Sequence, residues 1–511
     1  MREKRSRRLW IWGLFVVLTS YQSVIFAAPA GGNEPFLKYR LKEVWRGYLP
    51  LFTARCGITA LQIRLLPYGT VVLSHNDTIP LTTASVTKLF TSSAALHYLG
   101  ANYRFFTDIR GIMPHKGILS SSLLLYSYGN PFWTYEDMKT CLSQMVDRYG
   151  IKTLEGRIFV NMSSFSPGVE HLCIDNRCSM PYNPVISPLS LNFNTLKVTA
   201  LPGKIGGPAK IVLDPPSDFL TVQNRVLTTG SSKNVGLYAG FKEDGKVLVV
   251  KGRVSARLKR GLSVEVNIEA PSTFIERAVL KELGGLGVKT LGKKIPAGDL
   301  VLIRCYGPTL ADAIKEMNTE SNNFVAEIVE RLLGLRTYGP PGTRLKGLRA
   351  IEEYLYGIGV PRGDLHLTSG SGLSRDNRAT VRAFEILLTT MYFDRNSRIF
   401  FNSLAKNGDD GTLKRYWKGD DFVVAAKTGT LRGVVGLSGY VLWDRQNDPF
   451  VITVLCNDCS ETWKVKRLIE SFVRDVVQVF RENLKTSHSH RAIRPMIGGN
   501  TRLERNRIPT T

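Results

Sequence analysis

The texture of this chain changes after its first hundred residues and later changes back. A run starting at Ser85, with Leu89, Ala94, Leu96 and Leu99 among its apolar residues, contains no Gly or Pro and stops at Gly100, which predicts a largely buried helix with a glycine stop. From about Phe105 to Pro271 the chain turns to short β-branched runs broken by Gly, Pro and Asn, such as Ile158 to Val160, Lys210 to Leu213 and Lys246 to Val250. Helical spacing then returns in Leu310, Ala313, Ile314 and Met317, and resumes in Phe324, Val325, Ile328, Val329 and Leu332.

The two ends of the chain complete the pattern. Ile58 to Leu66 and Thr70 to Leu73 flank Pro67 and Gly69 as a hairpin. Phe422 to Ala426, Val434 to Leu442 and Phe450 to Leu455 read as an antiparallel meander, followed by an amphipathic helix through Val465, Leu468, Ile469, Phe472, Val473 and Val476. The expected fold class is α/β (α+β), an antiparallel sheet flanked by helices and split by a β-rich insert. The expected boundaries are 33–104 and 300–485 for the discontinuous domain and 105–299 for the insert, leaving room for a nested insert at about 205–268.

With 511 residues, 43% of them hydrophobic and 22% charged, the chain can bury several cores and does not have a disordered composition. Residues 1–30 read as an export signal: Arg2, Lys4, Arg5, Arg7 and Arg8, an apolar stretch from Leu9 to about Phe26, then Ala27, Ala28 and Ala30. Thr19 to Ser23 interrupt that stretch, which favours a signal over a permanent membrane anchor. The expected location is therefore the periplasm or cell envelope.

The formal charge of +25 exceeds what the signal contributes, and residues 486–511 form a basic tail with Arg491, Arg494, Arg502, Arg505 and Arg507. A basic patch attracts any polyanion, so for an exported chain anionic envelope polymers or lipid head groups are the expected electrostatic contacts, and nucleic acid is not. A solvated, disordered tail is an equally open reading, and His488 and His490 within it read as solvated. Seven cysteines leave at least one unpaired within the chain. Cys173/Cys178 and Cys456/Cys459 are the close pairs; a local disulfide at one of them is favoured over zinc, because no His cluster assists. The second pair could also simply cap a strand.

Three short motifs carry the chemistry. Ser85-Val86-Thr87-Lys88 sets a hydroxyl and an amine a helical turn apart, so that a lysine with a lowered pKa can take the serine proton. Ser403-Leu404-Ala405-Lys406 has the same spacing, so this pattern alone decides nothing. Ser321-Asn322-Asn323 is weaker still, since serine-x-asparagine recurs at Ser74, Ser190 and Ser232. Lys427-Thr428-Gly429-Thr430 occurs once and follows an apolar strand, where a glycine lets a ligand backbone approach. Gly370-Ser371-Gly372 lacks the nucleophile-elbow spacing and reads as a structural turn near the site. Gly287 to Lys294 misses the phosphate-loop pattern, with Lys294 in place of Ser or Thr.

Taken together and in order, the three motifs resemble those of penicillin-recognising serine enzymes. The long β-rich gap between Ser85 and Ser321 is similar to that of the D-Ala-D-Ala carboxypeptidases of the low-molecular-mass class C penicillin-binding proteins, peptidase family S13. Leu189 to Asn194, Ser369 to Arg375, Asp410 to Leu413 and Gly436 to Tyr440 extend the likeness across nearly the whole mature chain. Two departures stand out: Ser369 in place of an aspartate before Gly-Ser-Gly, and Gly129-Asn130-Pro131 in place of Gly-Asp-Pro.

The resemblance implies a penicillin-binding, serine β-lactamase-like catalytic domain and a serine-type carboxypeptidase or endopeptidase. Its substrates would be peptidoglycan stem peptides or cross-links ending in D-Ala-D-Ala, cleaved through an acyl-enzyme that β-lactams trap. It implies Ser85 as nucleophile, Lys88 as general base and Ser321 as proton relay. Asn323 would hold the substrate amide, Lys427 would supply positive charge, and Thr428 and Thr430 would bind the terminal carboxylate beside Gly429. Backbone N–H groups of Ser85 and Thr430 would form the oxyanion hole. No metal or organic cofactor is implied. A β-lactamase and a non-catalytic wall-binding scaffold are the competing functions.

Overall fold

The computed structural model describes residues 34–165, 170–171, 174, 183–242, 245–444 and 448–492, without the side chains of 170–171 and 485–492. The signal read at 1–30, the end of the basic tail and the Cys173/Cys178 pair lie outside the described residues.

A six-stranded sheet organises the two ends of the chain. Its order is Val71–His75, Cys56–Leu65, Phe450–Cys459, Val434–Leu442, Val423–Leu431 and Ala405–Lys406, antiparallel throughout. Side chains alternate across a strand, so each of these apolar runs feeds two cores. Leu61, Ile63, Val424, Ala426, Ile452 and Val454 pack under the helices Glu34–Thr53 and Thr462–Ala492. Ala60, Ala425, Tyr440, Val451 and Leu455 face a second layer that includes the helices Lys88–Leu99, Asn323–Tyr338 and Val381–Phe393.

The intervening segment has its own core around Leu125, Met138, Leu142, Val198, Leu248 and Ile275. The strand Leu300–Thr309 pairs antiparallel with Arg104–Gly111, joining the point where the chain enters this segment to the point where it leaves. Leu123–Tyr126 and Ile158–Val160 complete that sheet. Two three-stranded sheets follow, and in one of them Thr221–Thr229 runs parallel to Val247–Ser255.

Four local expectations need correction. The stretch read as mostly β contains the 15-residue helix Tyr135–Tyr149, started by a Thr134/Asp137 capping box and buried along Met138, Cys141, Leu142, Met145 and Val146, which is helical spacing. The strand read as ending at Ala426 runs on through Lys427-Thr428-Gly429-Thr430 to Leu431. The closing helix continues to Ala492, past the start of the segment read as a disordered tail, and so includes the backbone of His488 and His490. Cys456 and Cys459 do not bond to each other. Cys459 pairs across the sheet with Cys56, its directly opposite neighbour in the ladder, while Cys456 is free and buried. A second disulfide joins Cys141 to Cys305.

No helix among the described residues is long and apolar enough to cross a membrane.

Candidate active site

Ser85 sits in the 3-10 turn Ala84–Thr87, one step before the helix Lys88–Leu99. From Leu81 to Leu96 every residue is buried except Ser85. The turn is held from two sides by close backbone contacts. Ala84 has φ 47°, a left-handed conformation that a non-glycine residue adopts only when its surroundings over-determine it. Gly429 lies so near that a Cβ there would meet the Thr83 carbonyl oxygen at 2.7 Å. Gly372, at φ 76°, abuts the Ala84 carbonyl and leaves no room for a side chain. Both glycines are thus explained by approach to the serine turn rather than by flexibility.

Lys88 is fully buried, and its Nζ has three neighbours: Ser85 Oγ at 2.8 Å, Asn323 Oδ1 at 2.7 Å and the Ser371 carbonyl oxygen at 2.7 Å. Burial lowers the amine well below its ordinary range, and the charge of Lys427 adds to the fall against an opposing pull from Glu327. Lys427 is also fully buried; its Nζ donates to the Thr428 carbonyl at 3.0 Å, and burial lowers it to about 7, against Glu320.

The structure therefore brings Ser85, Lys88 and Asn323 into one hydrogen-bonded group, with Lys427 acting on it through its charge. Ser321 precedes Asn322, which caps the helix Asn323–Tyr338 by accepting from the Val325 amide at 3.1 Å. Ser321 itself is half-buried with φ 64°, another left-handed non-glycine residue, and no hydrogen bond among the described residues joins it to Ser85, Lys88 or Lys427. Thr428 is half-buried and Thr430 exposed, both on the sheet face opposite Lys427 and Gly429.

A layer that the motifs did not show lies beneath the lysine. In the helix Asn323–Tyr338, Glu327, Glu330 and Arg331 are buried among the apolar residues of the run 324–335. Glu327 accepts from Ser371 Oγ at 2.7 Å and from Arg331 Nη1 at 2.9 Å; Glu330 accepts from the Gly370 amide. Burial pushes Glu327 up, but Arg331, Ser371 and Arg344 outweigh it and hold the carboxylate below its ordinary range. Burial and the charge of Glu327 push Glu330 well above that range. The pair anchors the Gly370-Ser371-Gly372 loop whose carbonyl receives Lys88. The signal was present in the sequence as three charged residues within the apolar run 324–335.

The two departures from the family pattern are both hydrogen-bonded. Ser369 Oγ accepts from the Gly372 amide at 3.0 Å, and Asn130 bridges Thr107 Oγ1 and the Phe132 amide, each at 3.2 Å. The second Ser-x-x-Lys is set apart by its backbone: Ser403 ends a helix, Lys406 lies in a strand, and Ser403 Oγ is bound to Asn318.

A family model described as the D-Ala-D-Ala carboxypeptidase 3 (S13) family matches residues 53–474. A D-alanyl-D-alanine carboxypeptidase of Actinomadura sp. (strain R39) is 28% identical over 397 residues, which is 73% of each chain. The D-alanyl-D-alanine carboxypeptidase DacB of Haemophilus influenzae is 25% identical over 393 residues, 73% of this chain and 79% of that one. The crystal structure of penicillin binding protein 4 (dacB) from H. influenzae superposes with a TM-score of 0.67 at 21% identity, covering 84% of this chain and 96% of that one. It shows a shared fold.

Proposed function

The chain belongs to the D-Ala-D-Ala carboxypeptidase S13 family and is a serine-type carboxypeptidase; on that premise we propose that Ser85 is acylated by the penultimate D-alanine of peptidoglycan peptides, with Lys88 as its base. The observation that carries the reading is the set of three contacts at Lys88 Nζ. Asn323 Oδ1 and the Ser371 carbonyl can only accept, so they occupy both hydrogens of a neutral amine. The lone pair then faces the third neighbour, Ser85 Oγ, and can receive its proton. Burial and the cationic neighbour Lys427 favour the neutral amine, against the pull of Glu327.

Attack by Ser85 Oγ on the D-Ala-D-Ala carbonyl forms a tetrahedral oxyanion, which the backbone N–H groups of Ser85 and Thr430 stabilise. Lys88 holds the serine proton and returns it to the leaving amine, with Ser321 as the relay. Asn323 orients the substrate amide, and Lys427, Thr428 and Thr430 attract the terminal carboxylate. Water then hydrolyses the acyl-enzyme. A β-lactam follows the same first step but keeps its leaving group tethered, so the adduct persists. The export signal read in residues 1–30 supports a site of action in the cell envelope, on stem peptides or their cross-links.

Intact-mass spectrometry after incubation with benzylpenicillin tests the reading. A stable adduct on the wild type and none on Ser85→Ala is the expected result. Absence of an adduct with penicillin left intact would favour a scaffold, and rapid penicillin hydrolysis a β-lactamase.

A further inference from the structure

Resting on that reading, we propose that Lys466 of the C-terminal helix is a specificity-determining residue that pairs with the carboxylate on the leaving residue of the substrate. The argument begins with strand alternation. Lys427 and Gly429 face the Ser85 turn, so Thr428 and Thr430 stand on the other face of the strand, directly across from Leu437 and Val435. That face is covered by the helix Thr462–Ala492 and the segment around Thr412–Trp417. Between them lies a cavity of about 220 Å³, and both threonines line it. A carboxylate held by their hydroxyls therefore sits at the mouth of this cavity.

The cavity wall is mostly apolar, with Leu413, Trp417, Leu437 and Ile469, and Lys466 is its one charged residue. No ion pair or hydrogen bond engages Lys466 among the described residues. The nearest candidate, Glu470 one turn along the helix, is already taken: it binds Arg467 at 2.5 Å, Arg474 at 2.9 Å and the Trp417 amide at 3.0 Å. Half-burial lowers the Lys466 amine, and no neighbouring charge contributes to that shift. Every other described lysine that is not exposed has an identified polar or charged neighbour: Lys88 and Lys427 in the site, Lys38 on Glu34, Lys281 on Asp218, Lys346 on three carbonyls, Lys406 on Asn402 and Lys464 on Glu461. A half-desolvated cation without a partner, in an apolar cavity that opens beside two carboxylate-binding hydroxyls, is complementary to an anion that the free protein lacks.

The test compares two thioesters with the same benzoyl-D-alanyl acyl group, one leaving as thioglycolate, which carries a carboxylate, and one leaving as neutral N-acetylcysteamine. For Lys466→Met, kcat/KM for the thioglycolate should fall about tenfold, as for one lost charge-assisted hydrogen bond, mainly through KM. For the neutral ester it should stay within twofold, and Lys466→Arg should restore most of the loss. Equal losses on both esters, or none, with a wild type that forms the penicillin adduct, would overturn the inference alone. A wild type that cleaves neither ester and forms no adduct would overturn the peptidase reading and this inference with it. Thermal melting of Lys466→Met and Lys466→Gln verifies that the fold is intact.

Discussion

Asp108 in the intervening segment and Lys88 in the catalytic turn are both fully buried charged residue types, and the chain treats them in opposite ways. Asp108 receives a bidentate pair from Arg304, at 2.7 and 2.9 Å, and a third bond from Arg110 at 3.2 Å. Each arginine in turn lies 4.2 Å from an aromatic ring centre, Phe106 and Tyr126 respectively. Lys88 bonds only to neutral oxygens, and of the charges acting on it Lys427 outweighs Glu327. A buried charge that is matched by opposite charge locks a sheet together; one that is answered mainly by desolvation is pushed toward its neutral form. The contrast separates structural from chemical burial without reference to sequence motifs.

Replacing each group in turn tests that contrast. Lys88→Met should slow acylation by benzylpenicillin by about 10³-fold or more, as expected on loss of a general base, while leaving the melting temperature unchanged or higher. Stopped-flow acylation and calorimetry would show this, and a large loss of stability would place Lys88 with Asp108. Asp108→Ala should do the reverse. Removing one partner of a buried ion cluster costs about 3 kcal/mol in denaturant unfolding, whereas the acylation rate of the folded fraction should stay within twofold. Lys427→Gln should shift the acid limb of acylation to higher pH. The Lys427 charge disfavours protonation of Lys88, so its removal raises the Lys88 pKa, and the rate on the acid side of the profile drops.

The smallest effect concerns Glu385, buried and pushed by burial up to about 8 against Thr453 and Arg64. Its folded pKa is raised above the unfolded one, so its contribution is intact below about pH 4.5 and is lost as pH climbs through about 8. Glu385→Gln should flatten this alkaline decline and stabilise the protein by roughly 1 kcal/mol at pH 8, read from unfolding curves at pH 6 and pH 8.

Much of the sheet was legible because apolar runs of the right length fix strands wherever both faces are buried. The hairpin at Pro67–Gly69 and the strand Val434–Leu442 appear close to their expected limits, while the strands read from Phe422 and from Phe450 begin as expected and run four or five residues further, to Leu431 and Cys459. The end of the strand at Lys427 was not legible, since a lysine and two threonines look like a loop until the buried lysine and the close approach of Gly429 to Thr83 are seen. Nor could spacing reveal the pairing of Cys56 with Cys459, because it is a cross-strand contact between opposite ends of the chain. Ser85, Lys88 and Asn323 were legible as residue types in order. The Glu327/Glu330 layer below them was not, because its meaning depends on Ser371, which reaches it from a distant loop. Lys466 was hidden likewise, as one cation among many in a basic chain until the cavity set it apart.

The position of the strand Phe450–Cys459, between Cys56–Leu65 and Val434–Leu442, also governs when the site can exist. A chain emerging from its N-terminus presents Ser85 and Lys88 early, but the sheet that supports their turn lacks an inner strand until residue 459 is available. The segment from Arg104 to Thr309 can close its own sheet well before that, since its pairing partners are all made by then. The Ser85 turn thus lacks its supporting sheet throughout synthesis, and is assembled only when nearly the whole protein is present.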